Sequence, residues 1–457
     1  MESLSAQDAT FLFVENECNH MQIAAVAIFE GPSPAQQELE TMVESKLDRL
    51  PRYRQRVHLT PLDLAQPYWA DDPDFDLAYH LRRTALPRPG SATELQNLVG
   101  RVMSQKLDRN RALWEMWIIE RLTDDRWAIL CKTHHCLADG VSGAALLATM
   151  LETTPTTEPP TVSSWSPRPA PRPADLVAHA IRRGWRVPME GLRGLGRAAT
   201  APGRALQELG AFAEGLQSFR SNAAGPLETS LNGPIGPHRR WSTFSVSLQA
   251  LGKIRAAHRG TVNDVVLAAV GGGFRHLLRS RGEDVDGGVV RTLVPVSTHR
   301  PGDTENPGNH VAALVVDLAL DDAPPVQRLA DVHQETVRLK RAHQADATET
   351  LSTLVEASPP ALLSFGAGYL SELEQHAIQT VTTNVRGPGI SLYALGRRLQ
   401  RVSPYVPLWG SVRIAIAVFS YAGELTFGIT GDYESAGDLE VLAEGIEAEL
   451  AALSSAA

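Results

Sequence analysis

The chain has 457 residues with 43% apolar and 21% charged, and 43 Lys+Arg against 52 Asp+Glu give a net charge of −9. These values suit a globular protein of roughly two to four domains or two large ones. They exclude a collagen-like, low-complexity or wholly disordered chain, and a body this acidic is no nucleic-acid binder.

Residues 1–151 read as a first folded block. Residues 21–29, all apolar but for Gln22, read as a buried strand that stops at Gly31-Pro32. A helix follows, with Leu39, Met42, Val43 and Leu47 at helical spacing. Residues 114–119 and 127–133 are two apolar strands around the polar turn at 123–126. The Ala/Leu-rich run at 144–151 has helix composition.

Residues 152–230 change character. Residues 153–173 are rich in Thr, Ser and Pro, which predicts an extended, mobile linker. From Arg168 to Arg204, eight arginines face only Asp175 and Glu190, interleaved with Leu176, Val177, Ile181, Trp185, Leu192 and Leu195. Such a basic amphipathic stretch either lies on anionic lipid or is a linker helix with a solvated Arg face. Pro188 and Pro202 exclude one long helix.

Residues 231–457 form the last block. A helix is expected over 265–278, entered through Thr261 or Asn263 as N-cap. Strands are expected at 289–296 and 311–320, and a hairpin over 412–429 turning at Ala422-Gly423. Leu439, Leu442, Ile446 and Leu450 predict a closing amphipathic helix. Strands mixed with helices in both blocks imply α/β architecture, without a repeat in sequence.

The thiols Cys18, Cys131 and Cys136 are too few for a disulfide framework, and their spacing makes a poor zinc knuckle. They are expected to be reduced thiols of a cytoplasmic protein. Glu2 and Asp8 stand where a signal peptide would be basic. The longest apolar run, 357–371, is broken by Pro359-Pro360, short of the roughly 20 residues a spanning helix needs.

The strongest site signal is His134-His135-Cys136-Leu137-Ala138-Asp139-Gly140, between a buried strand and a helix. Strand alternation predicts that at most one of the two histidines faces a given cavity. A neutral imidazole takes a proton near pH 7, its unperturbed pKa being about 6.5. A metal site and a structural histidine pair are the competing readings. There is no Gly-x-Ser-x-Gly elbow, no Walker A loop and no Gly-x-Gly-x-x-Gly fingerprint. A lone His base on a hydroxyl needs an activated electrophile, which points to transfer from a thioester.

The motif at 134–140 resembles that of the bacterial wax ester synthase/acyl-CoA:diacylglycerol acyltransferase family, within the His-x-x-x-Asp acyltransferases. The segments at 4–12, 71–76 and 113–115 match further positions, as do Asn263-Asp264, 293–297, Thr383-Asn384-Val385-x-Gly387-Pro388 and 428–432. Arg386 departs from the family's proline, which puts the rigidity of that loop in question.

The resemblance implies two chloramphenicol-acetyltransferase-like α/β domains with mixed sheets, joined by a crossover linker, with the active site in a tunnel between them. It implies His135 as general base in a ternary complex, with His134 beside it and Asp139 structural, paired with an Arg for which Arg291 is the candidate. Asn263 becomes the oxyanion donor, against the plainer reading that it caps its helix. Gly140 and Asn384 stand beside the substrate, Asn384 holding its loop. Acyl-CoA is the co-substrate, with no resident cofactor and no metal. The acceptor is diacylglycerol, chosen over a long-chain alcohol on the resemblance to triacylglycerol synthases. Peripheral contact with a membrane or lipid droplet is a further expectation. The rivals are a wax ester synthase, a glycerol-phosphate acyltransferase using His134 through a His-x4-Asp spacing, a condensation-type enzyme and a non-catalytic lipid-droplet binding protein.

Overall fold

The computed structural model describes residues 2–60, 66–137, 146, 148–156, 162, 164–169, 228–297, 311–345 and 378–457. The strands of its two large sheets are β1 (Gln22–Phe29), β2 (Leu81–Ala85), β3 (Trp114–Leu122), β4 (Arg126–His134), β5 (Arg239–Ser247), β6 (Val289–Ser297), β7 (Val311–Ala319), β8 (Thr380–Arg386), β9 (Tyr393–Ala394), β10 (Arg397–Tyr405), β11 (Ile414–Tyr421) and β12 (Glu424–Asp432), and a small third sheet is made by Glu2–Ser3, Tyr68–Asp71 and Gln55–His58. The principal helices are α1 (Ala6–Val14), α2 (Gln36–Lys46), α3 (Ala92–Met103), α4 (Leu248–His258), α5 (Val262–Ser280), α6 (Pro325–Ala345) and α7 (Leu439–Ser455).

Twelve strands make two six-stranded sheets, ordered β9-β10-β1-β4-β3-β2 and β7-β6-β8-β11-β12-β5. Both are mixed. In the first, β2 runs parallel to β3 while the other pairs are antiparallel; in the second, β8 runs parallel to both β6 and β11. The expected strands and the hairpin are all present. The hairpin turns at Ala422 (φ 46°) and Gly423 (φ 92°), the two left-handed residues that a tight two-residue turn requires.

A boundary at residue 231 does not follow the sheets. β9 and β10, from the last third of the chain, pair with β1 and complete the first sheet. The halves are thereby interlocked. Gly428 of β12 lies so close to the Pro404 carbonyl of β10 that a Cβ there would stand 1.8 Å from its oxygen. The same carbonyl accepts from Trp241 Nε1 at 3.1 Å. Only a residue without a side chain lets the two sheets meet here.

Each half has its own core. In the second, α5 is buried between the sheet and α7, with Val265, Val266, Leu267, Phe274, Leu277 and Ile446 all at 0% exposure. In the first, α2 buries Leu39, Met42 and Val43, as its spacing predicts. Phe419 and Tyr421 of β11, from the second sheet, pack into that same first core. Burial at roughly 25 cal/mol per Å2 makes such a seam a permanent part of the fold.

Of the described residues in the Thr/Ser/Pro-rich stretch, two touch the first half: Trp165 lies under the Arg54 guanidinium (5.1 Å), and Arg168 is bonded to Asp71 at 3.2 Å. Arg172 to Arg204 lie outside the described residues. Among the described residues no helix is long and apolar enough to cross a membrane.

Candidate active site

The site grows from the end of β4. Its strand is held at depth by Lys132, fully buried, whose ammonium donates to the Val102 and Gln105 carbonyls at the end of α3. Burial pulls that amine down to about 8. Two residues on, His134 N donates to the Leu113 carbonyl and His135 N to Met21 O at 2.8 Å. β4 ends at His134, and His135 opens a single 3-10 turn, His135–Leu137.

The two rings then meet different partners, His135 on α1 and His134 at Glu15, the residue that ends that helix. His134 is 0% exposed; its Nδ1 accepts from Cys136 N at 3.1 Å, and its Nε2 faces Glu15 Oε1 at 3.5 Å. With Nδ1 an acceptor, the neutral ring carries its proton on Nε2, toward the carboxylate. Glu15 is itself clamped by Arg109, whose Nε and terminal nitrogen reach its Oε2 at 2.9 and 2.6 Å. Burial alone would raise the Glu15 carboxyl, but His134 and Arg109 outweigh it and hold it at about 2. His135 is only half-buried, and its ring stacks on Phe11 at 3.8 Å between centroids. Phe11 lies on α1 and Glu15 is the extended residue that ends it, so this one segment supports both histidines. Ser5 caps that helix by accepting from Asp8 N at 3.0 Å.

Both thiols beside the histidines are disfavoured as thiolates. Burial pushes the Cys131 thiol up to about 12 and the Cys136 thiol well above its ordinary value.

The second cluster belongs to the other sheet. Thr261, not Asn263, caps α5: its hydroxyl accepts from Asp264 N, while Asp264 Oδ2 accepts from Thr261 N at 2.8 Å. Both residues can cap, but Thr261-x-x-Asp264 completes a reciprocal capping box, and the cap goes to the residue that can close it. Asn263 therefore lies inside the first turn, half-buried, with its side chain free for another task. Its Oδ1 accepts from Asn384 Nδ2 at 3.4 Å. Asn384 lies near the end of β8, and the next residue, Val385, packs against the core of the first half. The amide pair is thus at the seam of the molecule.

The structure joins Asn263 with Asn384, and His134 and His135 with α1; the two pairs come from different sheets. Asp139 and Gly140 lie outside the described residues. Arg291 Nε donates to Asp317 Oδ1 at 2.7 Å, its direct cross-strand partner on β7. Arg386 ends β8 in register with Ser420, and Gly387 N donates to Ser420 Oγ at 3.2 Å, which tethers the loop without the family's proline. Glu15 and Arg109 escaped the sequence reading, and Phe11 entered it only within the segment at 4–12. Their signal was faint: an aromatic and an acid at helical spacing, with no local hint of partners more than 90 residues away.

The chain matches the model of the wax ester synthase/diacylglycerol acyltransferase catalytic domain over residues 4–266 and that of the WS/DGAT C-terminal domain over 307–454. It is 37% identical over 456 residues to the Mycobacterium tuberculosis protein named "Probable diacyglycerol O-acyltransferase tgs1", covering 99% of this chain and 96% of that one. Among solved structures, the wax ester synthase/diacylglycerol acyltransferase of Marinobacter aquaeolei VT8 superposes with a TM-score of 0.68 at 24% identity, covering 99% and 98%. The first condensation domain of the calcium-dependent antibiotic synthetase follows the same fold with a TM-score of 0.61 at 18% identity, covering 99% and 96%. The two mixed sheets are therefore a pair of chloramphenicol-acetyltransferase-like domains.

Proposed function

We propose, since the chain belongs to the wax ester synthase/diacylglycerol acyltransferase family and is an acyltransferase, that it transfers a long-chain acyl group from acyl-CoA to diacylglycerol. The choice of acceptor rests on the similarity to the mycobacterial protein along nearly the whole of both chains. Contact with a lipid surface belongs to the same proposal, because diacylglycerol is insoluble in water.

The role of His135 rests on one observation: His134 is fully buried, with Nδ1 bonded to the backbone and Nε2 against Glu15. That leaves His135, half-buried, as the imidazole able to meet a substrate. His135 takes the proton of the acceptor hydroxyl as its oxygen bonds to the thioester carbonyl carbon. The tetrahedral intermediate then collapses, the carbon–sulfur bond breaks, and the imidazolium returns its proton to the coenzyme A thiolate. Such a base contributes about 10²–10⁴ in rate. No acyl-enzyme is needed.

Asn263 is the donor to the oxyanion. Its Oδ1 is occupied by Asn384, so its own N–H groups remain to give. One donor of this kind is worth about 2.7–4 kcal/mol in the transition state. Gly140 and Asp139 keep the roles the resemblance assigns them, beside the substrate and holding the loop.

The test is release of coenzyme A thiol from palmitoyl-CoA with diolein and hexadecanol in competition, with the ester products separated. Triacylglycerol as the main product is expected. A main product of wax ester would assign the chain to the alcohol-using side of its family, and no acceptor-dependent release from folded protein would refute the proposal.

A further inference from the structure

The capping box of α5 requires only Thr261, yet three groups converge on Asp264. This carboxylate is 1% exposed. Besides the Thr261 N–H, it accepts from His333 Nδ1 at Oδ2 (2.8 Å) and from Thr336 Oγ1 at Oδ1 (2.8 Å), both on α6. His333 and Thr336 are three residues apart and so share a face of that helix. A helix N-terminus needs no such help from a neighbour, because its cap is already closed. What the additional bonds do is fix the first turn of α5 against α6, and the residue directly before Asp264 is Asn263.

We infer that His333 and Thr336 are positioning residues: through Asp264 they set the azimuth of the first turn of α5, and thereby where the Asn263 carboxamide points. The inference rests on the reading of Asn263 as oxyanion donor. Two restraints then act on Asn263 from opposite sides. Asn384 holds its oxygen, and the His333–Asp264–Thr336 clasp holds its backbone. A hydrogen-bond donor loses most of its value when misplaced by a fraction of an ångström, and a donor to the oxyanion acts on the transition state rather than on substrate binding. The clasp should therefore govern turnover and leave acyl-CoA and acceptor affinity alone. Burial disfavours the charged Asp264 carboxyl, yet the bonds from Thr261, His333 and Thr336 keep it below the usual carboxylate range, consistent with an ionised anchor.

The test is a double-mutant cycle read by acceptor-dependent thiol release in the full-length protein, with a thermal melt for every variant. His333→Phe should lower kcat about 10-fold or more with KM for palmitoyl-CoA and diolein unchanged. His333→Asn, whose amide N–H can stand where Nδ1 stood, should recover most of the loss, and Thr336→Val should give a smaller loss of the same kind. In an Asn263→Ala background, His333→Phe should cost less than about 2-fold, because the group it positions is gone. Full, additive loss in that background would overturn the positioning role, as would a fall in melting temperature with kcat intact below the melt. An unchanged kcat in Asn263→Ala alone would refute the oxyanion reading and this inference with it, whereas a large loss there with none in His333→Phe would refute the inference only.

Discussion

His135→Ala is expected to lower acceptor-dependent thiol release by at least about 10²-fold, the lower bound for removal of a general base, with the melting temperature close to wild type. The ring is half-buried and its main described packing partner is Phe11, whose stacking is worth about 0.5–1.5 kcal/mol. His134→Ala should behave in the opposite way. It removes a fully buried ring, leaves the Cys136 N–H unbonded and opposes Glu15 with Arg109 alone. Its loss should appear mainly in stability, about 1–3 kcal/mol for each buried polar group left without its partner. The two variants, assayed below the melt of the weaker one, separate the roles. Activity that survives in His135→Ala and vanishes in folded His134→Ala would transfer the base to His134 and favour the His-x4-Asp alternative.

The second large effect lies in Glu15. Its carboxyl is held at about 2 in the folded chain, against 4.5 for the unperturbed group. The folded state therefore binds fewer protons than the unfolded state between those values. The stabilisation is complete above pH 4.5 and is lost as pH falls toward 2, and the size of the shift makes it about 3 kcal/mol. Urea midpoints of the wild-type protein should fall steeply over that window. Glu15→Gln should be less stable near neutrality and should lose most of this acid sensitivity, since it has no proton to gain. An equally steep fall in Glu15→Gln would place the acid-labile group elsewhere.

Much of this fold was legible from the chain because its strands are continuous apolar runs. Residues 22–29 and 126–134 declare themselves by composition, and Ala422-Gly423 declares its turn by the backbone angles it demands. What local pattern does not carry is pairing. Nothing in Arg397–Tyr405 tells that it completes the sheet begun by Gln22–Phe29, since that partnership is settled only when the seam forms. The site divides in the same way. The His-His-x-x-x-Asp-Gly run marks itself, and Thr261-x-x-Asp264 spells a capping box, although Thr261 and Asn263 are both cap-forming residue types. The support was not readable. Glu15 and Arg109 are 94 residues apart, and His333 and Asp264 are 69 apart.

The central claim is direct transfer, with His135 as base and no covalent acyl-enzyme. Its most direct test is a single-turnover mixing of palmitoyl-CoA with stoichiometric protein, with and without diolein, followed by thiol release and intact mass. Direct transfer predicts thiol release only when diolein is present, with the protein mass unchanged throughout. One equivalent of thiol released without acceptor, with the acyl group retained on the chain, would contradict it.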